Sequence, residues 1–171
     1  MTRAYLTEEG YRTYRNTCLL VLMKAIAKIK PEAIYNVHQS VNRSTYIEFE
    51  NTKVSDGDIT SFKSLMNKYI ADNVSLVAKS YPIGEGAKLL EKSKCNTHAE
   101  KVLYTPREEI KIYSDENFAT AVYGKIYENA GIVSEYDLMP FEKGILLLNE
   151  TKNDKQRYIV MGDDLLYLVK E

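Results

Sequence analysis

The chain has 171 residues, of which 44% are hydrophobic, and a formal net charge of −1. This composition excludes a disordered chain and predicts one domain with a sizeable core. The charge excludes a uniformly basic surface, so a nucleic-acid contact must be a local patch, and no DNA partner is expected. Two cysteines, Cys18 and Cys95, form no CxxC pair, which argues against a disulfide framework. With no signal peptide or membrane-length apolar run, we expect a cytoplasmic protein without a membrane partner.

The predicted elements begin after a short polar arm over residues 1–9, and a single domain is expected over residues 10–171. A core helix is predicted over residues 11–30, because apolar residues recur there at three- and four-residue steps. Pro31 follows and ends this helix. Arg12 and Arg15 give its N-terminal end a positive charge that opposes the helix dipole, which favours an anionic neighbour.

A β-hairpin follows the first helix. Residues 33–41 and 44–51 alternate between apolar and polar side chains, with a turn near Val41 to Ser44. The predicted register places Gln39 opposite Tyr46 and His38 beside Ile47. A second helix is predicted next, because Ser55 and Asp58 have capping-box spacing and an amphipathic stripe follows them.

The remainder of the chain predicts a strand over residues 74–81, a helix over 83–94 and a further helical turn over 96–104. Five short segments rich in Val, Ile and Tyr then occupy residues 108–162, separated by turn signals. They are typical of an antiparallel sheet. Residues 164–171 fit a last strand or a docked helical tail. Because helices come first and strands mostly later, the predicted class is α+β, with helices packed on an antiparallel sheet.

Groups that could carry out chemistry are scarce. The two histidines, His38 and His98, lie sixty positions apart, so a zinc site with Cys18 and Cys95 is a weak alternative. No nucleophile elbow and no P-loop are present. The basic side chains Arg12, Arg15, Arg43 and Lys125 stand on three predicted elements and, with nearby tyrosines, suit a phosphate or a nucleotide base. The alternative is an unrelated set of surface charges.

Four ordered blocks carry a resemblance to a known family. They read YRTYRNTCLLVLMKAI, VHQSVNRSTYIEFE, ITSFKSLMNKYI and AVYGKIYENAGIVSEYDLMPFEKGILL. Together they resemble a domain of uridine kinase-like proteins that precedes the kinase domain. That domain is itself similar to the editing (second additional) domain of threonyl-tRNA synthetase. The resemblance covers about residues 9–149 and implies helices packed against an antiparallel sheet.

The chain departs from the family at its metal site. The synthetase editing family carries HxxxH on the first helix, matched here by Asn16 and Leu20, and CxxxH in the later strand region, matched by Val122 and Ile126. These four side chains cannot bind a metal as a set. Kinase-linked relatives lack the set too and typically read YGYMVPSTG, where this chain reads YGKIYENAG. We therefore expect no metal and no cofactor.

The resemblance implies a degenerate, metal-free editing-type domain that serves as a nucleotide- or RNA-binding accessory module. Its expected partners are a nucleotide, a nucleoside or a tRNA end, and a kinase domain. Two alternatives stay open: a residual aminoacyl-tRNA deacylase, and a structural accessory domain or fragment of a uridine kinase-like protein. The expected ligand-binding residues surround a cleft between the first helix, the hairpin and the Tyr123 strand: Arg12, Arg15, His38, Arg43, Tyr46, Tyr123 and Lys125.

The hairpin carries a more detailed hypothesis. Arg43 would meet an anionic group while Tyr46 stacks on a base, because a guanidinium fork suits phosphate and an aromatic ring suits the face of a base. In the alternative, Arg43 is a solvated turn residue and Tyr46 packs on the sheet.

The missing ligand set generates the first testable prediction. The purified protein should carry no stoichiometric zinc, because amide and aliphatic side chains stand at all four matched positions. Elemental analysis after dialysis measures this directly. About one zinc per chain would contradict the expectation.

Overall fold

The computed structural model of the chain describes residues 8–41, 44–91 and 108–149. Its helices are α1 (Glu8–Ile29), α2 (Asp56–Ala71), α3 (Ile83–Glu91) and a short 3-10 helix, Ala130–Ile132. Its strands are β1 (Tyr35–Val41), β2 (Ser44–Phe49), β3 (Lys79–Pro82), β4 (Glu109–Ser114), β5 (Ala119–Ala121), β6 (Asp137–Phe141) and β7 (Gly144–Leu148). The α+β class is confirmed. No helix within the described ranges is long and apolar enough to cross a membrane.

Helix α1 is the centre of the core. Cys18, Val21, Leu22 and Ile26 have no exposed surface, and they share one apolar cluster with residues of α2 and of both sheets. The helix begins at Glu8, inside the stretch that the sequence assigned to the arm, and ends just before Lys30 and Pro31. Its predicted position is therefore confirmed, with about one additional turn at the N-terminal end.

The strands form two antiparallel sheets, whereas the sequence predicted one. The four-stranded sheet has the order β1-β2-β7-β6, and the three-stranded sheet has the order β3-β4-β5. Between β5 and β6 the chain leaves the strand conformation, and its residues hydrogen-bond to side chains of α1. The strands predicted over residues 74–81 and 117–127 are observed as only four and three residues, in β3 and β5. The predicted segments 96–104, 156–162 and 164–171 lie outside the described residues.

The hairpin turn lies where the sequence placed it, but the predicted register is wrong by one residue. Val41 pairs with Ser44, and a bulge between Gln39 and Val41 then shifts the pairing, so that His38 lies opposite Tyr46. A bulge places one extra residue on one strand, which moves every later pair along by one. The alternation of side chains does not reveal such an insertion.

Helix α2 is capped as predicted. The Asp58 backbone N–H donates to the Ser55 hydroxyl (3.1 Å), and the Ser55 N–H donates to the Asp58 carboxylate (2.9 Å). Lys30 lies 3.4 Å from the same carboxylate. The N-terminus of α2 therefore lies at the C-terminal end of α1.

A largely buried ion pair joins α1 to the three-stranded sheet. The Lys24 ammonium lies 2.6 Å from Asp115, in the turn between β4 and β5, and near the rings of Tyr69 and Tyr113. The other Asp115 oxygen accepts the N–H groups of the next turn residues, Asn117 and Phe118. Burial opposes ionisation of Asp115, but Lys24 and these N–H groups outweigh it and hold its pKa below the ordinary 3.8.

The second prediction concerns this pair. Asp115→Asn keeps the oxygen that the turn needs and removes the charge, so it should lower the free energy of unfolding at pH 7 by about 2–4 kcal/mol. A depressed pKa means that the stabilisation is present above 3.8 and is lost as the pH falls through the lower, folded value. The difference in unfolding free energy between Asp115→Asn and wild type should therefore be smaller at pH 3 than at pH 7, which urea denaturation at the two pH values measures.

The control is Glu116→Gln, which removes a charge from an exposed neighbour in the same turn. It should change stability by less than about 0.5 kcal/mol. An Asp115→Asn deficit that is equally large at pH 7 and pH 3 would show that the charge is not its cause.

Candidate functional site

A cleft lies between α1 and the three-stranded sheet. Further along α1 the helix and the sheet are in contact, because Tyr113 and Phe118 belong to the same core as α1 and Lys24 pairs with Asp115. Towards the N-terminus of α1 the cleft has a volume of about 540 Å³. Its lining combines the first turns of α1, the segment before β3, one residue of β4 and the chain after β5: Glu9, Gly10, Thr13, Leu76, Val77, Ala78, Lys111, Val122, Gly124, Lys125, Ile126, Tyr127 and Glu128.

Residues 122–128, hereafter the cleft segment, form one wall of the cleft and are held by hydrogen bonds from side chains of α1. The Asn16 amide donates to the Lys125 carbonyl (3.2 Å), and the Thr17 hydroxyl accepts the Tyr127 N–H (2.8 Å). Tyr14, also on α1, holds the backbone further along in the same way: its hydroxyl accepts the N–H groups of Ser134 and Glu135. An irregular backbone needs such partners when it packs against a core.

Gly124 marks the point where the chain leaves the sheet. The Val122 N–H still donates to the Lys111 carbonyl of β4 (2.9 Å), whereas Gly124 has a φ of +85°. A side chain at this φ would be strained, so glycine suits the bend. A second lobe of about 450 Å³ opens between β4 and the departing chain. It shares Lys111, Val122, Gly124 and Lys125 with the first lobe and adds Tyr123.

Exposed apolar side chains concentrate at this cleft. Within the described part of the chain, three large apolar residues are exposed: Tyr123 at 53%, Val77 at 49% and Ile132 at 38%. Val77 lines the first lobe and Tyr123 lines the second. Exposed apolar surface that borders a concave site is typical of a binding surface.

The charges at the cleft are mixed. Lys125 at the mouth lies 2.5 Å from Glu9, and both side chains are mostly exposed. The hydrogen bond from Lys125 lowers the pKa of Glu9, and the same bond raises the pKa of Lys125. Lys111, which lines both lobes, has no ion-pair partner within the described ranges. The cleft therefore offers one paired and one unpaired ammonium group.

Three of the predicted site residues lie at or near this cleft. Tyr123 and Lys125 line it. Arg12 is exposed one turn into α1, and its charge also acts on Glu9. Arg15 instead lies over the Tyr11 ring (5.9 Å), and its Nε is buried without a hydrogen-bond partner among the described residues. Arg43 lies outside the described residues.

The hairpin residues are on another surface. Ile47 faces the α1 core, so alternation turns the neighbouring Tyr46, and with it His38, to the opposite face of the four-stranded sheet. There the rings of His38 and Tyr46 stack at 5.5 Å, and the edge of Tyr46 meets Phe141. The Tyr46 hydroxyl accepts the Lys143 N–H (3.1 Å). These are the contacts of a sheet-packing residue, and the structure does not bring the hairpin pair together with Lys125 in one cleft.

Of the four positions matched to the metal ligands of the editing family, two line the cleft and a third bonds to its wall. Val122 and Ile126 line it, Asn16 bonds to the cleft segment, and Leu20 is buried in α1. Within residues 8–41, 44–91 and 108–149, no group of three or more His, Cys, Asp or Glu side chains could hold a metal ion.

The alternative zinc set of His38, His98, Cys18 and Cys95 is not brought together by the described residues. Cys18 is fully buried in the core, and burial raises the pKa of its thiol. His38 faces away from that core on the other side of the sheet. Cys95 and His98 lie outside the described residues.

Sequence reasoning missed Lys111, Val77 and Glu9. Lys111 is one outward-facing residue of the alternating strand EIKIYS, a pattern that ordinary solvated strands share. Glu9 was assigned to the arm, and Val77 to a strand. The threonines on the buried side of α1, Thr13 and Thr17, are a usable signal, because a buried hydroxyl needs a hydrogen-bond partner.

Comparison with known proteins gives three similar curated sequences, all named threonine–tRNA ligase, while no protein-family model matches the chain. The sequence from Thermoplasma volcanium is 21% identical over 148 residues, 86% of this chain and 22% of that protein. The Chlamydia caviae sequence is 23% identical over 77% of this chain and 21% of that protein. The Acetivibrio thermocellus sequence is 25% identical over 88% of this chain and 24% of that protein.

The chain thus spans less than a quarter of the length of these curated relatives. The similarity supports a domain related to one region of a threonine–tRNA ligase. The α+β fold, with helices packed on antiparallel sheets, is consistent with an editing-like domain of that kind.

The third prediction tests the bend in the cleft segment. Gly124→Ala should lower the free energy of unfolding by about 1–2 kcal/mol, because a side chain is disfavoured at positive φ. The added Cβ would also lie 3.4 Å from the Asn16 amide nitrogen. Chemical denaturation measures the loss.

Gly84→Ala is the matched control, since a Cβ there meets nothing within 4 Å and the backbone is helical. That substitution should be neutral or stabilising. If the two variants unfold alike, the chain does not depend on the left-handed bend at Gly124.

Proposed function

We propose that the chain is a metal-free editing-type domain that binds an RNA end, such as the acceptor end of a tRNA, or a nucleotide, in the cleft beside α1. One observation carries the proposal: two of the four positions matched to the editing metal ligands, Val122 and Ile126, line the cleft, and a third, Asn16, donates a hydrogen bond to its wall. Asparagine and aliphatic side chains occupy those positions. A concave site has thus been kept without the residues that would activate water.

The size and lining of the cleft support binding. A volume of about 540 Å³ falls within the range of small-ligand sites. Tyr123 presents an exposed ring to the second lobe, and nucleic-acid bases stack on such rings with little sequence preference. Lys111 and Lys125 place ammonium groups within reach of both lobes, where they suit phosphate oxygens.

Residue chemistry makes hydrolysis the less favoured function. Cleavage of an aminoacyl ester needs an activated water, supplied by a metal or a positioned general base. Neither Asn16, Val122 nor Ile126 can serve in that way. The resemblance to the kinase-linked form of the domain adds an accessory role, with a kinase domain as the partner that the bound nucleotide or RNA would serve.

The fourth prediction tests the cleft by fluorescence anisotropy with a 5′-labelled acceptor-stem minihelix that ends in CCA. Tyr123→Ala should weaken binding about tenfold, because a stacked base contributes about 1–3 kcal/mol. Lys111→Ala should weaken binding by less and make the salt dependence shallower by about one unit in the log–log slope. The wild-type slope should itself be shallow, since few phosphate contacts are available.

Two controls match these substitutions outside the cleft. Ile132→Ala removes another exposed apolar side chain, and Lys53→Ala removes another exposed charge, near the N-terminus of α2 at the far end of α1. Both should bind as wild type does. Equal losses in the cleft and control variants would locate binding elsewhere. A wild-type protein that binds neither the minihelix nor a nucleotide, or that deacylates aminoacyl-tRNA, would overturn the proposal.

A further inference from the structure

Among the described residues that line the cleft, one ion pair, Glu9 with Lys125, lies across its mouth. Glu9 lies on the first turn of α1, and Lys125 lies on the cleft segment 116 positions later in the chain. Both residues line the first lobe, and Lys125 also lines the second. The Glu9 carboxylate therefore occupies one of the hydrogen-bonding positions at the Lys125 ammonium that an anion in the cleft would use.

This pair differs from the buried ion pair of Lys24 with Asp115 further along α1. The Lys24 and Asp115 side chains are 13% and 15% exposed, whereas those of Lys125 and Glu9 are 73% and 69% exposed. An exposed pair contributes little net stability, because water solvates both groups once they separate. The Glu9–Lys125 pair can therefore open at low cost, while the buried pair holds α1 to the turn between β4 and β5.

The surroundings of Glu9 also suit an anion from a ligand. Arg12 acts electrostatically on the Glu9 carboxylate from α1, and Lys111 lines the same cleft without an ion-pair partner in the described part of the chain. The N-terminal end of a helix further favours negative charge. Once Glu9 swings into solvent, the ammonium groups of Lys125 and Lys111 remain in the cleft lining, with Arg12 on the next turn of α1.

We propose that the Glu9–Lys125 pair is a displaceable gate, and that a phosphate group of the ligand replaces the Glu9 carboxylate at Lys125. The nature of that ligand rests on the proposed function, but the exchange itself is a property of these two side chains. Glu9 acts as a built-in competitor, which weakens the binding of every phosphate-bearing ligand and sets a threshold for occupation of the cleft. Uncharged nucleosides gain nothing from displacing it.

The experiment uses inorganic phosphate as the probe, at constant ionic strength, with the amide signals of Gly124 and Lys125 in the full chain followed by ¹⁵N NMR. Glu9→Gln should lower the apparent Kd for phosphate about two- to fivefold, the range expected when one exposed ion pair is removed. Lys125→Gln should weaken phosphate binding. In the Lys125→Gln background, Glu9→Gln should bring no further gain, because the cation it competes for is gone.

Glu91→Gln, on α3, gives the same change in net charge and should leave the phosphate affinity unaltered. The gate is overturned if Glu9→Gln behaves like Glu91→Gln, if its gain persists without Lys125, or if phosphate moves neither amide signal. The minihelix assay separates this inference from the proposed function. RNA binding without the phosphate effect removes the gate alone, and the phosphate effect without RNA binding removes the RNA function alone.

Discussion

The hydrogen bond from the Tyr127 N–H to the Thr17 hydroxyl, buried on α1, is the constraint on which the rest of the site depends. Residues 122–136 run along α1 without forming a regular strand, so their backbone groups need partners from elsewhere. Thr17, Asn16 and Tyr14 supply several of them from one helix. These hydrogen bonds hold the chain beside α1 after it leaves β4 at Gly124, where the two lobes of the cleft lie.

Much of the fold could be predicted from local pattern. Pro31 and a helical period define α1, Ser55 and Asp58 define the start of α2, and alternation defines the hairpin. What the pattern could not supply was the pairing of distant strands. A single sheet and two separate sheets give the same succession of short apolar segments in the sequence. The bulge before Val41 likewise changes the register without changing the alternation of side chains.

The site was less predictable than the fold for a related reason. Lys125 was found as one of four basic side chains and Tyr123 through a resemblance, and both lie at the cleft. His38 and Tyr46 looked equally suitable, yet which face of a strand meets the helix is decided by packing across the sheet. Lys111 has no distinguishing pattern in its local sequence, because it lines the cleft only where residues 122–128 turn away from β4 beside it.

A ¹⁵N-resolved NMR titration of the full chain with an unlabelled CCA-ended minihelix tests the central claim most directly, because it reports the location of binding without any substitution. The account predicts that the largest shifts fall on the cleft segment, on Lys111 and on Val77. The outward face of the hairpin, around His38 and Tyr46, should stay unchanged. Shifts confined to that outward face, with the cleft segment unmoved, would contradict the account.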